Sequence, residues 1–113
     1  MSAYLETYAS FVNDQVVNRA HGLEGLLHAA VGMSTEAGEV LDIVKKSWAF
    51  NKPMDMEKIK HEAGDLLFYL QFFCNLNGMS LEELASMNTS KLLLRYPEGY
   101  TDKAAQLRVD GII

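Results

Sequence analysis

A short acidic phrase occurs twice in this chain, each time set in apolar sequence: Glu36-Ala37-Gly38-Glu39 and Glu62-Ala63-Gly64-Asp65. In each copy two carboxylates stand three residues apart, which puts both on one face of a helix, one turn from each other. Val40-Leu41 and Ile43-Val44 follow the first copy, and Leu66-Leu67-Phe68-Tyr69-Leu70 follows the second. Acids on the buried side of a helix are costly. Two unit charges about 4 Å apart repel by roughly 4 kcal/mol at an effective dielectric of about 20. A fold that carries two such pairs needs a counter-charge, and four oxygen donors suit a hard divalent cation. The duplication therefore predicts a helical fold in which the acidic faces meet around a metal ion.

The rest of the chain agrees with helices throughout. Tyr4, Tyr8, Phe11, Val12 and Val16 recur at helical spacing and predict a first helix from Tyr4 to about Asn18. Gly22 and Gly25 are expected to interrupt it before a long second helix from about Leu26 to Trp48, stopped by Asn51-Lys52-Pro53. Asp55 is an N-cap for a third helix from Met56 to about Leu76, closed by Asn77-Gly78. Ser80-Leu81-Glu82-Glu83 is a capping box opening a fourth helix that runs to Arg95 or Tyr96, ahead of Pro97. The tail from Glu98 to Ile113 has weak periodicity, and no alternating strand pattern occurs. Four helices on short turns predict an all-α, four-helix bundle forming a single domain over residues 1–113.

The duplicated phrase also reads as an internal repeat that sets the second and third helices face to face. A mid-helix glycine costs about 1 kcal/mol relative to alanine. Gly38 and Gly64 at matching places therefore mark close backbone approach, room for a ligand beside the acids, or simple relief of crowding.

Composition limits the partners. The chain has 113 residues, 49% hydrophobic and 22% charged, which is ordinary for a folded domain. Its net charge of −5 disfavours a nucleic-acid polymer. A small anion remains compatible if metal and local Lys or Arg reverse the field. The lone Cys74, inside Leu70-Gln71-Phe72-Phe73-Cys74, reads as a buried structural thiol in a reducing, cytoplasmic setting. No basic stretch followed by an apolar one marks a signal peptide, and Leu66 to Cys74 is too short to span a bilayer.

The ordinary use of helix acids is a solvated face. Against that stand the spacing, the repetition and the apolar flanks of Glu36, Glu39, Glu62 and Asp65. Asp42, three residues past Glu39, is the acid best explained as surface. Carboxylates without Cys or His at ligand spacing select Mg2+, or Mn2+ as a substitute, over Zn2+. A di-iron bundle needs Glu-x-x-His twice, and His21, His28 and His61 do not supply it. Cations for a phosphate ligand are present: Asn88, Lys91 and Arg95 share a face of the fourth helix, and Lys46 lies two turns past Glu39. Lys91 and Arg95 alone would be explained by the dipole at a helix C-terminus. Opposite a metal site, phosphate binding is the better reading. Tyr69, one turn past Asp65, and Trp48 are candidates to stack on a base, with Phe50 beside Trp48. His28 is a candidate hydrogen-bonding partner for a base or sugar, two turns before Glu36. For each of these rings core packing is the bland alternative.

Taken in order, Glu36/Glu39, then Glu62/Asp65 with Leu66-Leu67-Phe68-Tyr69-Leu70, then Asn88, Lys91, Arg95 and Tyr96-Pro97-Glu98-Gly99, these residues resemble the MazG-type all-α nucleoside triphosphate pyrophosphohydrolases. The resemblance runs from about Leu26 to Gly99. It implies a helical fold that forms dimers or tetramers and a Mg2+-dependent cleavage of nucleoside triphosphate to monophosphate and pyrophosphate. It further implies that Glu36 handles the attacking water, that Glu39, Glu62 and Asp65 are chiefly metal ligands, and that Lys91 and Arg95 hold the outer phosphates. The Tyr96-Pro97-Glu98-Gly99 ending is more similar to the MazG-like branch than to the dCTP/dUTP-cleaving group or phosphoribosyl-ATP pyrophosphatase. One such domain, where the long forms have two, leaves broad nucleotide-pool cleaning and a narrower activity both open. A catalytically silent helical dimerisation module is the reading from another class.

Overall fold

Local capping chemistry sets most helix boundaries in the computed structural model, which describes residues 3–16 and 21–109. Five helices follow one another: α1 (Ala3–Val16), α2 (Gly22–Phe50), α3 (Met56–Leu76), α4 (Leu81–Arg95) and α5 (Asp102–Val109). Asn51 ends α2 in the left-handed region, φ 52° and ψ 47°, and its N–H donates to the Ser47 carbonyl. The Asp55 carboxylate opens α3 by accepting the Lys58 N–H at 3.1 Å. Gly78, at φ 64°, takes the chain out of α3 while the Met79 N–H donates to the Cys74 carbonyl at 2.9 Å. The Ser80 hydroxyl then accepts the Glu83 N–H at 3.0 Å and starts α4.

Two features depart most from the sequence expectation, and α2 also runs past Trp48 to Phe50. α2 begins at Gly22, a turn before Leu26, because Gly25 is buried within the helix and donates to the His21 carbonyl at 2.9 Å. Packing there outweighs the poor helix propensity of glycine. In the tail, Thr101 Oγ1 accepts the Ala104 N–H at 3.0 Å and caps α5, a helix too weakly amphipathic to show in the pattern. The expected end of the first helix near Asn18 lies outside the described residues. No strand occurs among the described residues, and the fold is all-α: the four expected helices and a short fifth.

The chain forms two compact units, Met1–Met79 and Ser80–Ile113. In the first, α3 packs against both α2 and α1. Val12 and Val16 of α1, Ala29 of α2 and Phe72 of α3 make its core, with Tyr8, Phe68, Tyr69, Phe73 and Leu76 packed around them. Phe72 is fully buried, so truncation to alanine would cost about 3–5 kcal/mol. A polar tie reinforces this joint: Gln71 Nε2 donates to Asn75 Oδ1 at 2.9 Å, and Asn75 Nδ2 donates to the Ala9 carbonyl at 3.0 Å. Cys74 is buried, as its apolar setting predicts.

The short connection between α2 and α3 makes them an antiparallel pair, and their meeting points run in opposite directions along the two helices. Glu36 meets Glu62, Gly32 meets Tyr69, and His28 meets Phe72. The opposite side of α2 is apolar and uncovered in the single chain: Leu23, Leu27, Val31, Leu41 and Trp48 are all exposed. In the second unit α4 contacts α5 and buries no residue, and the Tyr96 and Tyr100 rings meet edge to face with centroids 5.2 Å apart.

Candidate metal centre

The antiparallel seam of α2 and α3 gathers three of the four sequence-predicted acids. One carboxylate oxygen each from Glu36, Glu62 and Asp65 lies within 4.8 Å of the others. Glu36 and Glu62 are half-buried and Asp65 is exposed, so the group opens to solvent on the Asp65 side. Glu39, a turn beyond Glu36, is exposed and outside the trio, although its charge is still felt by Glu36.

The electrostatics are those of a site short of positive charge. Burial pushes the Glu36 carboxyl above its ordinary value, a hydrogen bond shared with Glu62 adds to the shift, and the charges of Asp65, Glu62 and Glu39 push the same way. Crowded carboxylates hold a proton when no cation is available, and a divalent cation would replace that proton. The oxygen-only donor set and its spacing fit Mg2+ or Mn2+. Tyr8 brings α1 to the same place. Its phenol is raised first by burial, then by the charge of Asp65, then by Tyr4. Its helical spacing marked it only as part of an apolar face.

The other sequence-predicted residues are placed as follows. The His28 and Tyr69 rings adjoin, with centroids 5.9 Å apart, and Tyr69 is one turn from Asp65. Trp48 is 83% exposed, five turns along α2 from His28 and away from that pair. Lys46 Nζ pairs with Asp42 at 2.8 Å, holding the Asp42 carboxyl below its usual range and raising the Lys46 ammonium. Lys46 also lines a cleft of about 320 Å³ at the loop end of the hairpin with Lys52, Lys58 and Phe50. Lys52 and Lys58 went unread because their common position depends on the turn between the helices. Asn88, Lys91 and Arg95 are carried on α4, Lys91 exposed and Arg95 half-buried in its last turn.

Gly38 and Gly64 are not points of close approach. A Cβ at either would meet no atom within 4 Å, which leaves open space beside the acids as the surviving expectation. A close approach occurs instead at Gly32, where a Cβ would overlap ring carbons of Tyr69.

A helical hairpin with carboxylates converging at its seam, all oxygen donors and no His or Cys, defines an all-α protein with a candidate site for a divalent cation. The family model described as the MazG nucleotide pyrophosphohydrolase domain matches residues 26–100. The chain belongs to that family. Comparison with curated proteins and with solved structures finds no significant match. No helix among the described residues is long and apolar enough to cross a membrane.

Proposed function

We propose that this chain is a Mg2+-dependent nucleoside triphosphate pyrophosphohydrolase, cleaving a (d)NTP with water to (d)NMP and pyrophosphate, with Mn2+ as a substitute metal. Family membership supports the class of reaction, and the convergence of Glu36, Glu62 and Asp65 is the observation that carries the metal dependence. Glu36, Glu62 and Asp65 would hold the metal, and Glu39, exposed and one turn away, is free to turn its carboxylate to the same ion. When bound, the cation offsets the charge of the triphosphate and of the departing pyrophosphate.

The chain's own groups supply the rest. Glu36 is assigned to orient the attacking water and take its proton, as the family resemblance implies. Water oxygen bonds to the α-phosphorus, the bond from that phosphorus to the α,β-bridging oxygen breaks, and pyrophosphate leaves with the bond's electron pair. Lys91 and Arg95, with Asn88, are assigned to the outer phosphates on charge, spacing along α4 and family resemblance, and Lys46 adds positive charge at the hairpin's loop end. His28 and Tyr69 form the base and sugar contact, an assignment supported by their adjacency one turn from Asp65. Trp48 is the weaker member of that set, being so far along α2.

The whole chain is proposed to act as one MazG-like domain, in a homodimer or homotetramer, in the cytoplasm, in nucleotide-pool cleaning. The uncovered apolar face of α2 supports self-association, since exposed apolar patches of this extent mark interaction surfaces. A silent dimerisation module would use that face too, but it has no use for carboxylates held together at a half-buried seam. The deciding experiment is pyrophosphate release from a panel of canonical and modified nucleoside triphosphates, with and without Mg2+. Release that requires Mg2+ is expected. No release from any triphosphate in the panel would favour the silent module.

A further inference from the structure

The packing layer next to the acids contains a glycine whose cross-helix neighbour leaves no room for a side chain. Gly32 stands one turn before Glu36 on α2, and Tyr69 stands one turn after Asp65 on α3. A Cβ added at Gly32 would overlap Tyr69 Cγ, Cδ1 and Cε1. We infer that Gly32 is a positioning residue for the metal site: its bare backbone seats the Tyr69 ring and thereby sets the gap between α2 and α3 at the carboxylates.

Tyr69 has no easy way to yield. Overlap at Cγ involves the root of the ring, which lies on the axis of ring rotation, so flipping the ring does not clear it. Neighbouring rings restrict sideways movement on two sides. The Phe68 ring meets Tyr69 at 84° with centroids 5.2 Å apart, the His28 ring stands 5.9 Å away, and the residue packs against the core of the unit. An added methyl group must therefore push the helices apart or force Tyr69 off its rotamer. Oxygen–metal distances in Mg2+ and Mn2+ sites tolerate only a few tenths of an ångström. Separation of α2 from α3 one turn away would thus spoil the geometry of donors contributed by both helices. Gly38 and Gly64, although they sit inside the acidic phrases, have open space around them and no such role.

This inference rests on the metal reading of the acid trio, and its test uses the metal alone, because Tyr69 is also assigned to the base. Mn2+ binding to the full chain is measured by titration calorimetry, with helix content followed by circular dichroism. Gly32→Ala is expected to weaken Mn2+ binding by about 10-fold or more, in the range of other residues that orient metal ligands. Gly64→Ala is expected to leave it unchanged. The double variant Gly32→Ala/Tyr69→Ala, which removes the ring from the new methyl group, is expected to recover most of the loss. Should Gly32→Ala fail to fold, the double variant carries the test by folding and binding Mn2+. Wild-type affinity in Gly32→Ala, an equal loss in Gly64→Ala, or a double variant that fails to fold or binds no better than the single one overturns the inference. Absence of Mn2+ binding in the wild-type protein would instead remove the proposed function itself.

Discussion

The α2–α3 hairpin and helix α4 both carry charge, but the two charges have different standing. On the hairpin, Glu36 and Glu62 are half-buried at a packed seam, and Glu36 holds its proton more tightly than an ordinary carboxyl. On α4, Lys91 is exposed, Arg95 occupies the last turn, and the helix buries nothing. Cations in a last helical turn are stabilised by the backbone dipole and need no further explanation. Carboxylates pressed together at a seam are destabilising and do need one. Cost, rather than charge as such, is what marks the hairpin as the candidate site, and the role proposed for the cations follows only from association with it.

Substitutions at the seam should therefore have the largest effect. Glu62→Gln and Asp65→Asn are each expected to lower pyrophosphate release by at least about 100-fold while helix content is retained. Near-normal turnover in either variant would put the acids on a level with any solvated pair. Lys91→Ala and Arg95→Ala should raise KM by roughly 10-fold with a smaller change in kcat, as expected for the loss of charge-assisted phosphate contacts. An unchanged KM would leave the α4 cations to the helix dipole alone.

The third difference is in pH dependence. Because the Glu36 proton affinity is raised on folding, the metal-free native state binds more protons than the unfolded state above the ordinary carboxylate range. Stability from this group is thus present at low pH and is lost as pH rises through its raised value. Glu62, Asp65 and Glu39 press on Glu36 from both helices, and Tyr8 of α1 faces Asp65, so Mg2+ should reverse the trend by replacing the proton. Thermal melts of metal-free protein across that window, repeated with Mg2+, check the sign. A melting temperature that rises with pH in the metal-free protein would contradict it. The smallest expected effect belongs to Gly64→Ala, which should stabilise α3 by about 1 kcal/mol because the added methyl group meets nothing. A clear loss of stability would mean that something outside the single chain packs there.

What the sequence could and could not disclose follows from the range of the interactions. Asp55, Ser80 and Asn51-Lys52-Pro53 act within one turn of their own positions, so the limits of α3, the start of α4 and the end of α2 were readable. Gly25 was misleading because the propensity of a glycine is visible in sequence and its burial is not. The short α5 was missed because a helix without an amphipathic pattern leaves only a Thr101 cap to find. At the site, the two acidic phrases were legible as equals. Only the register of α2 against α3 separates Glu36, Glu62 and Asp65, which converge, from Glu39, which stays exposed. Gly32 was invisible for the same reason: its role lies in a contact with Tyr69, a residue on the facing helix.

Direct observation of the cation bears most closely on the central claim. Titration of Mn2+ into the wild-type protein and into Asp65→Asn, followed by electron paramagnetic resonance of the free ion, should show saturable uptake by the first and little by the second. Equal uptake by both proteins, or none by the wild type, would contradict the assignment of Glu36, Glu62 and Asp65 as a metal centre.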